Sequence, residues 1–431
     1  MKEELLHFIW NYKLFKPQHL LSVNGARLKI FYQGELNKDA GPDFFNARIE
    51  VDGITLVGNV EIHVNSSDWL KHGHENDNAY NNLVLHVVYR CDKTIEQNKK
   101  HNVEVLELKN YLDEKIIKKY NSLITSDGAL PCFKHIKDVE NLKLQSWLQR
   151  MLIERLEGKT EYVRHVFASA NNDFSQTFYL MLARNFGFKV NAEPFELLAK
   201  QLPLSVLLKH SSNLFQLEAL IYGCAGFLNK PYKAKYLQQL QNEFEFLKNK
   251  YKLKELDSSL WKFLRLRPAN FPTVRFWQFA MLIHKCNALF TNPEKFNTTK
   301  LLHEAISYKH EGYFSNHYKP DGKEVKTLKG IGKNSIENII INTMAPFLFF
   351  YGQQTGKDKF IDSAIECFEN LPFEDNVKTR YFLKAGLKFS QRDAFGKNAA
   401  QSQGLITLFD NYCKNTRCLD CGIASSLLIN K

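Results

Sequence analysis

Gly41-Pro42-Asp43-Phe44, then Asp52-Gly53, then Val60-Glu61-Ile62-His63-Val64, is the stretch on which the fold turns. Residues 45–51 (FNARIEV) alternate enough for a half-buried strand, Asp-Gly is a two-residue hairpin signal, and residues 54–64 supply the returning strand. Side chains two apart on a strand share a face, so Glu61 and His63 project together, with Asp43 at the entry to the hairpin. Two carboxylates and an imidazole delivered by neighbouring strands are the materials of a metal site.

Residues 3–15, before this hairpin, place Leu5, Leu6, Ile9, Trp10 and Leu14 at helical spacing, and Pro17 ends the run. Further strands are expected at 28–32, 83–90 and 103–108. Between the second arm and the strand at 83–90 lies a polar, aromatic segment carrying His72, His74 and Asp77, and His86 interrupts the next apolar strand. His-x-His can bind a transition metal such as Zn²⁺. The HxHxxD spacing is near that of metallo-β-lactamase-type hydrolases, although the order of elements differs from that fold and a second downstream histidine is missing. His86 has two readings, a ligand or a satisfied core histidine.

From about residue 138 the apolar period changes to 3.6. Leu142, Leu144, Trp147, Leu148, Met151, Leu152 and Leu156 trace one helical stripe, and further helices are expected at 174–185, 194–200, 214–227, 236–251, 276–290, 335–351 and 358–371. The loop 125–130 before Pro131-Cys132 marks the boundary. The fold class is therefore α+β: an α/β domain at 1–130 and an all-α, basic domain at 131–431 that ends in a cysteine cluster.

Composition bounds the partners. The net charge is +12, but residues 1–130 hold 16 Lys/Arg against 18 Asp/Glu, so the basic excess falls in the helical part. A surplus of that sign suits nucleic acid, whose neutralised phosphates release counterions, and equally suits a lysine-rich solvated surface. No run of ~18 apolar residues spans a bilayer, the N-terminus has acids where a secretory leader needs cations, and the 8 cysteines are mostly isolated. A cytoplasmic protein without a membrane partner is the expectation.

Asp43 just before one strand and Glu61-x-His63 on the next resemble the PD-(D/E)xK nuclease superfamily, built from a helix, a β-meander with the metal-binding acids, a helix and a further strand. The resemblance implies a restriction-endonuclease-like domain in which Asp43 and Glu61 bind Mg²⁺ or Mn²⁺ and the next group activates water. The superfamily's lysine is His63 here, and an imidazole can serve as general base or extra ligand. GPDFFNARI, GNVEIHVNSSDW, HGHENDNAY and NNLVLHVVY, with Trp147, Arg155-Leu156, Arg267-Pro268 and the terminal cysteines, resemble an uncharacterised bacterial family known as a domain of unknown function.

Two C-terminal signals remain. Leu328-Lys329-Gly330-Ile331-Gly332-Lys333 resembles the hairpin of helix-hairpin-helix DNA-binding motifs, with Lys333 at a helix start that offers N–H groups to a phosphate. Cys413-x4-Cys418-x2-Cys421 can hold Zn²⁺ with a fourth ligand from elsewhere, or an iron–sulfur cluster. Arg265, Arg267 and Arg275 around Trp261, Phe271 and Trp277 form either a base-stacking surface or core.

The sequence thus leads to a metal-dependent nuclease acting on DNA or RNA phosphodiesters, with Asp43, Glu61 and His63 catalytic, and with His72, His74, Asp77 and Lys333 facing substrate. Two alternatives stay open: a catalytically silent nucleic-acid-binding or scaffold protein, and a Zn²⁺ hydrolase built on the histidines. Oligomeric state is not legible.

Overall fold

Asp52 (φ 44°) and Gly53 (φ 86°) close a two-residue turn with Val51 opposite Ile54, the left-handed pair that a tight hairpin of this twist requires. In the computed structural model, which describes residues 1–74, 77–95, 103–125, 130–307, 312–326, 330–387 and 397–429, this hairpin is the centre of a seven-stranded sheet. Its strands are β1 (Leu20–Leu21), β2 (Arg27–Tyr32), β3 (Glu35–Leu36), β4 (Phe44–Val51), β5 (Ile54–Asn65), β6 (Leu83–Arg90) and β7 (Glu104–Glu107). They run in the order β1-β2-β4-β5-β6-β7, and β3 pairs with β4. Pairing is antiparallel from β1 to β5, then parallel from β5 to β6 and from β6 to β7.

The five strands expected from the sequence are present within a residue or two of their bounds; β1 and β3, two residues each, carry no periodicity by which to be found. The opening helix α1 (Glu3–Asn11) is shorter than the pattern implied and packs its buried Leu5, Leu6, Phe8, Ile9 and Trp10 inward, with Trp10 Nε1 donating to the Gln33 carbonyl at 3.1 Å. The same helix lies against β5.

Two local irregularities place the acids. The register shifts between Phe44, opposite Val60, and Ala47, opposite Gly58, so β4 holds one residue more than β5 there, and Asn46 takes a left-handed φ of 58°. Upstream of that bulge Asp43 falls opposite Glu61. At Gly58 a Cβ would stand 2.5 Å from the Asn82 carbonyl oxygen and from Val84 Cγ1, so only glycine lets β6 approach β5 closely enough to pair.

The chain forms two compact units: residues 1–147, 376–388 and 408–431 make the first, and residues 148–375 and 389–407 the second. The sheet and α1 belong to the first. The second is helical, built around a continuous apolar core that includes Phe178, Phe186, Phe195, Tyr222, Phe276 and Trp277. The expected boundary loop at 125–130 lies largely outside the described residues.

Three expectations for the helical part change. The run at 276–290 is a helix Pro272–Lys285 and a separate turn Ala288–Thr291, and Pro272 starts it, because first-turn N–H groups have no acceptor within the helix and proline's missing N–H is no loss there. The run at 335–351 contains a π-helical turn, Ile340–Met344, directly before Pro346, where the proline ring cannot donate to the preceding turn; Lys159 Nζ caps the Ile341 carbonyl at 3.3 Å. Trp261, Trp277 and Arg275 are buried, so the base-stacking surface drawn through them gives way to core. Among the described residues no helix is long and apolar enough to cross a membrane.

Candidate metal centre

Glu61 and His63 sit on the buried half of β5, 4% and 1% exposed, beside Val60 and Ile62, which point to the other face. Asp43 is stitched to them through the backbone: its N–H donates to Glu61 Oε2 at 3.1 Å, and its Oδ2 accepts from the Ile62 N–H at 2.9 Å. One oxygen of each carboxylate is thereby committed. Glu61 Oε1 turns toward histidines, 3.6 Å from His63 Nε2 and 3.2 Å from His74 Nε2.

The histidines arrive by a short connection whose geometry the sequence dictates. Asp92 accepts from Ser67 N–H, Ser67 Oγ and Ser66 Oγ, and Asp68 Oδ2 accepts from Asn65 N–H, fixing the start of α2 (Asp68–Lys71). His72 ends that single turn, and Gly73, at φ 72°, reverses the chain so that His74 returns over the sheet. Buried Trp69 packs edge-on to His63 and His74, while Tyr80 lies 4.1 Å from the His74 ring, centroid to centroid.

The result is a cluster. Ligand nitrogens of His63, His72 and His74 all lie within 4.8 Å of one another, and among the described residues this is the group with that spacing. His63 Nε2 is 3.1 Å from His72 Nδ1, and His63 Nδ1 is 2.9 Å from Nε2 of His86, which is fully buried on β6 opposite Glu61. His72 is exposed, so the cluster opens to solvent on that side.

Electrostatics records the crowding. Burial, and after it the charges of His86, His72 and His74, hold the His63 pKa down to about 2; burial, then His74, takes His86 to about 3. Both rings are neutral near pH 7, with lone pairs for a metal. Burial and then the neighbouring Asp43 charge push Glu61 up to about 9. Two acids this close, one of them buried, do not both ionise without a compensating cation.

The sequence missed one participant. His7 on α1 places Nε2 3.2 Å from Asp43 Oδ2; burial alone would lower its pKa, but the Asp43 carboxylate and Glu3 outweigh it and the net shift is upward. His7 lies inside an apolar helical stripe, and nothing in its spacing ties it to residues some forty positions on.

The other expected residues are placed elsewhere. Asp77 caps the 3-10 turn Asn78–Tyr80 through a bond from Ala79 N–H at 2.9 Å, and its neighbours Glu75 and Asn76 lie outside the described residues. Lys333 belongs to the second unit, in the first turn of the helix Lys333–Ile339, exposed and 3.9 Å from Glu337 Oε1; Leu328 and Lys329 of the expected hairpin are outside the described residues. Cys413, Cys418 and Cys421 do not reach the mutual spacing shown by the three histidines, so as a trio they do not make a chelate, in zinc or iron–sulfur form.

A mixed α/β region whose sheet carries a histidine-rich site, followed by a largely helical region, is the class that fold and site define. The chain belongs to the family described as "Protein of unknown function (DUF2851)", whose pattern matches residues 3–377. No curated protein and no solved structure matches it.

Proposed function

We propose that the cluster is a catalytic metal centre in which His63, His72, His74 and Glu61 bind one divalent transition-metal ion, and that the protein is a metal-dependent phosphodiesterase of nuclease type. One observation carries the reading. A tetrahedral ion with ~2.0–2.1 Å bonds sets its ligand atoms ~3.3–3.4 Å apart, and three contacts, at 3.1, 3.2 and 3.6 Å, link these four groups at that spacing. Three imidazoles with one carboxylate suit Zn²⁺ or Mn²⁺ better than Mg²⁺, which prefers oxygen donors.

The PD-(D/E)xK resemblance supports the nuclease part. A helix, an antiparallel meander with Asp43 just before its second core strand and Glu61 on its third, and then a parallel strand follow the superfamily's order. The departures are a connection reduced to single turns and His63 in place of lysine. On this reading Glu61 presents Oε1 to the ion, Asp43 holds Glu61 in place and faces the entry, and His86 orients His63 by accepting a hydrogen bond from its Nδ1–H, so that Nε2 offers its lone pair. The ion would supply an activated water and charge neutralisation at phosphate. The division into a site-bearing 1–130 and a basic, nucleic-acid-holding 131–431 is retained as part of this proposal.

The test is hydrolysis of single- and double-stranded DNA, RNA and an activated phosphodiester with metal-free protein to which Zn²⁺, Mn²⁺ or Mg²⁺ is returned. Activity restored by Zn²⁺ or Mn²⁺ and lowered at least ~100-fold in Glu61→Gln and His72→Ala is expected. Metal binding without hydrolysis of any of these substrates would leave the site to the small-substrate hydrolase or the silent scaffold.

A further inference from the structure

We propose that Cys132, Cys413, Cys418 and Cys421 are the four ligands of a structural zinc ion that ties the turn after Pro131 to the C-terminal knuckle. It is independent of the histidine centre. Three of these residues are close in sequence; the fourth lies some 280 positions upstream, and the fold brings it to them.

Cys132, Cys413, Cys418 and Cys421 all belong to the first unit. Cys132 opens a tight turn in which His135 N–H and Ile136 N–H both donate to its carbonyl at 2.9 Å. The 3-10 turn that follows, Ile136–Asp138, packs on the C-terminal helix Gly422–Ile429, which begins next to Cys421. Cys132 lies within electrostatic reach of Cys418 and Cys421, and Cys413 within reach of Cys132, Cys418 and Cys421. Cys132, Cys418 and Cys421 are each 6–7% exposed, and Cys413 is partly covered.

The loop that bears the three C-terminal cysteines is braced like a ligand loop. Thr416 N–H bonds to the Cys413 carbonyl, Arg417 N–H to that of Tyr412, and Cys421 N–H to that of Cys418 at 3.2 Å. Arg417 pairs with Asp420 at 3.0 Å and covers the Tyr412 ring. Gly422 is needed because a Cβ there would stand 2.5 Å from the Trp147 ring, which lies against the knuckle.

Three of these thiols are buried and Cys413 is half-buried, and thiolates are ligands that suit a zinc ion. All are free of disulfides, and four-thiolate tetrahedral coordination is the common form of a structural zinc site. Zn–S bonds of ~2.3 Å set sulfurs ~3.8 Å apart, a tighter grouping than any three of these thiols make, so binding turns their side chains toward a common centre.

The experiment uses the full chain purified under reducing conditions, in the His72→Ala background so that the histidine centre does not contribute. One zinc per chain is expected, with sulfur at ~2.3 Å in zinc-edge X-ray absorption, and cobalt substitution should give thiolate-to-cobalt charge-transfer bands. Cys132→Ser should lose that equivalent, while Cys91→Ser and Cys286→Ser should keep it. Cys132→His, which preserves a four-ligand set, should retain zinc with one nitrogen in its shell, separating ligand loss from misfolding. A chain without sulfur-bound zinc, an iron–sulfur chromophore, disulfides by thiol counting, or full zinc content in Cys132→Ser would each overturn the proposal.

Discussion

Replacing His86 by leucine tests the histidine centre without touching an ion ligand. His86 is fully buried, and its Nε2 lies 2.9 Å from His63 Nδ1, where it sets which His63 nitrogen carries the proton. Leucine keeps the volume of the site but strands the His63 N–H, at about 1–3 kcal/mol of fold stability. Losing such an outer partner typically weakens metal binding ~10–100-fold, or about 1.4–2.8 kcal/mol. At a zinc concentration 100 times the wild-type dissociation constant, metal stabilises the native state by about 2.7 kcal/mol. In His86→Leu the same concentration would give only about 1.4 to 0.4 kcal/mol. Denaturant midpoints with and without zinc, together with a competitive chelator titration, read both quantities. His86→Gln, which retains an acceptor, should recover part of the affinity. Unchanged zinc affinity in His86→Leu would refute the orienting role and the tautomer assigned to His63.

Other expectations follow from single contacts. Gly53→Val should destabilise the hairpin by at least about 1 kcal/mol, because a β-branched residue is strained at φ 86°, and a thermal melt will show it. Burial, reinforced by Arg155, holds Lys159 down to about 7. Its folded pKa lies below its unfolded one, so its contribution is complete above about pH 10.4, the unfolded value. It is lost as pH falls to about 7, since in that window the unfolded chain binds a proton that the native state lacks. Urea midpoints should therefore rise with pH over this range, and Lys159→Met should flatten that slope. His72→Ala should abolish metal binding at the histidine centre and lower the melting temperature of the metal-free protein only slightly, since His72 is exposed and gives up its contact with His63 Nε2.

The sheet was legible because Asp52-Gly53 and the alternation on either side of it state a hairpin in local terms, and Glu61 and His63 follow from period two. His72 and His74 were legible as chemistry but not as geometry. Their convergence depends on the Gly73 reversal and on Asp92, more than twenty residues on, pinning Ser66 and Ser67. His7 and Cys132 were invisible for the same physical reason: each reaches its partners only through tertiary packing, and no local period encodes which helix or turn will lie against which strand. His86 had two readings from sequence, and the structure joins them, as a buried histidine whose partner is another histidine. The broken run at 335–351 shows the converse, since apolar periodicity continues through Pro346 and only a widened backbone turn accommodates the ring.

His63 stands where the nuclease resemblance expects lysine, and this position separates the two metal chemistries. If the site were a magnesium centre with a degraded third residue, His63→Lys would restore an ammonium beside Glu61 and raise Mg²⁺-dependent hydrolysis. If His63 is a ligand, the same substitution puts a cation where the metal should sit, 3.6 Å from Glu61 Oε1 and against His72. Lysine can then pair with Glu61 but cannot bind zinc while protonated, and its burial between β5 and β6 leaves no route for the ammonium to swing away. Zinc affinity should fall by more than the ~10–100-fold attached to an outer partner, with no gain in Mg²⁺-dependent activity. Calorimetric titration of His63→Lys with Zn²⁺ and Mg²⁺, run beside His86→Leu, orders these losses. Gain of Mg²⁺-dependent hydrolysis in His63→Lys would return the site to the oxygen-ligand form and remove the imidazoles from the coordination shell.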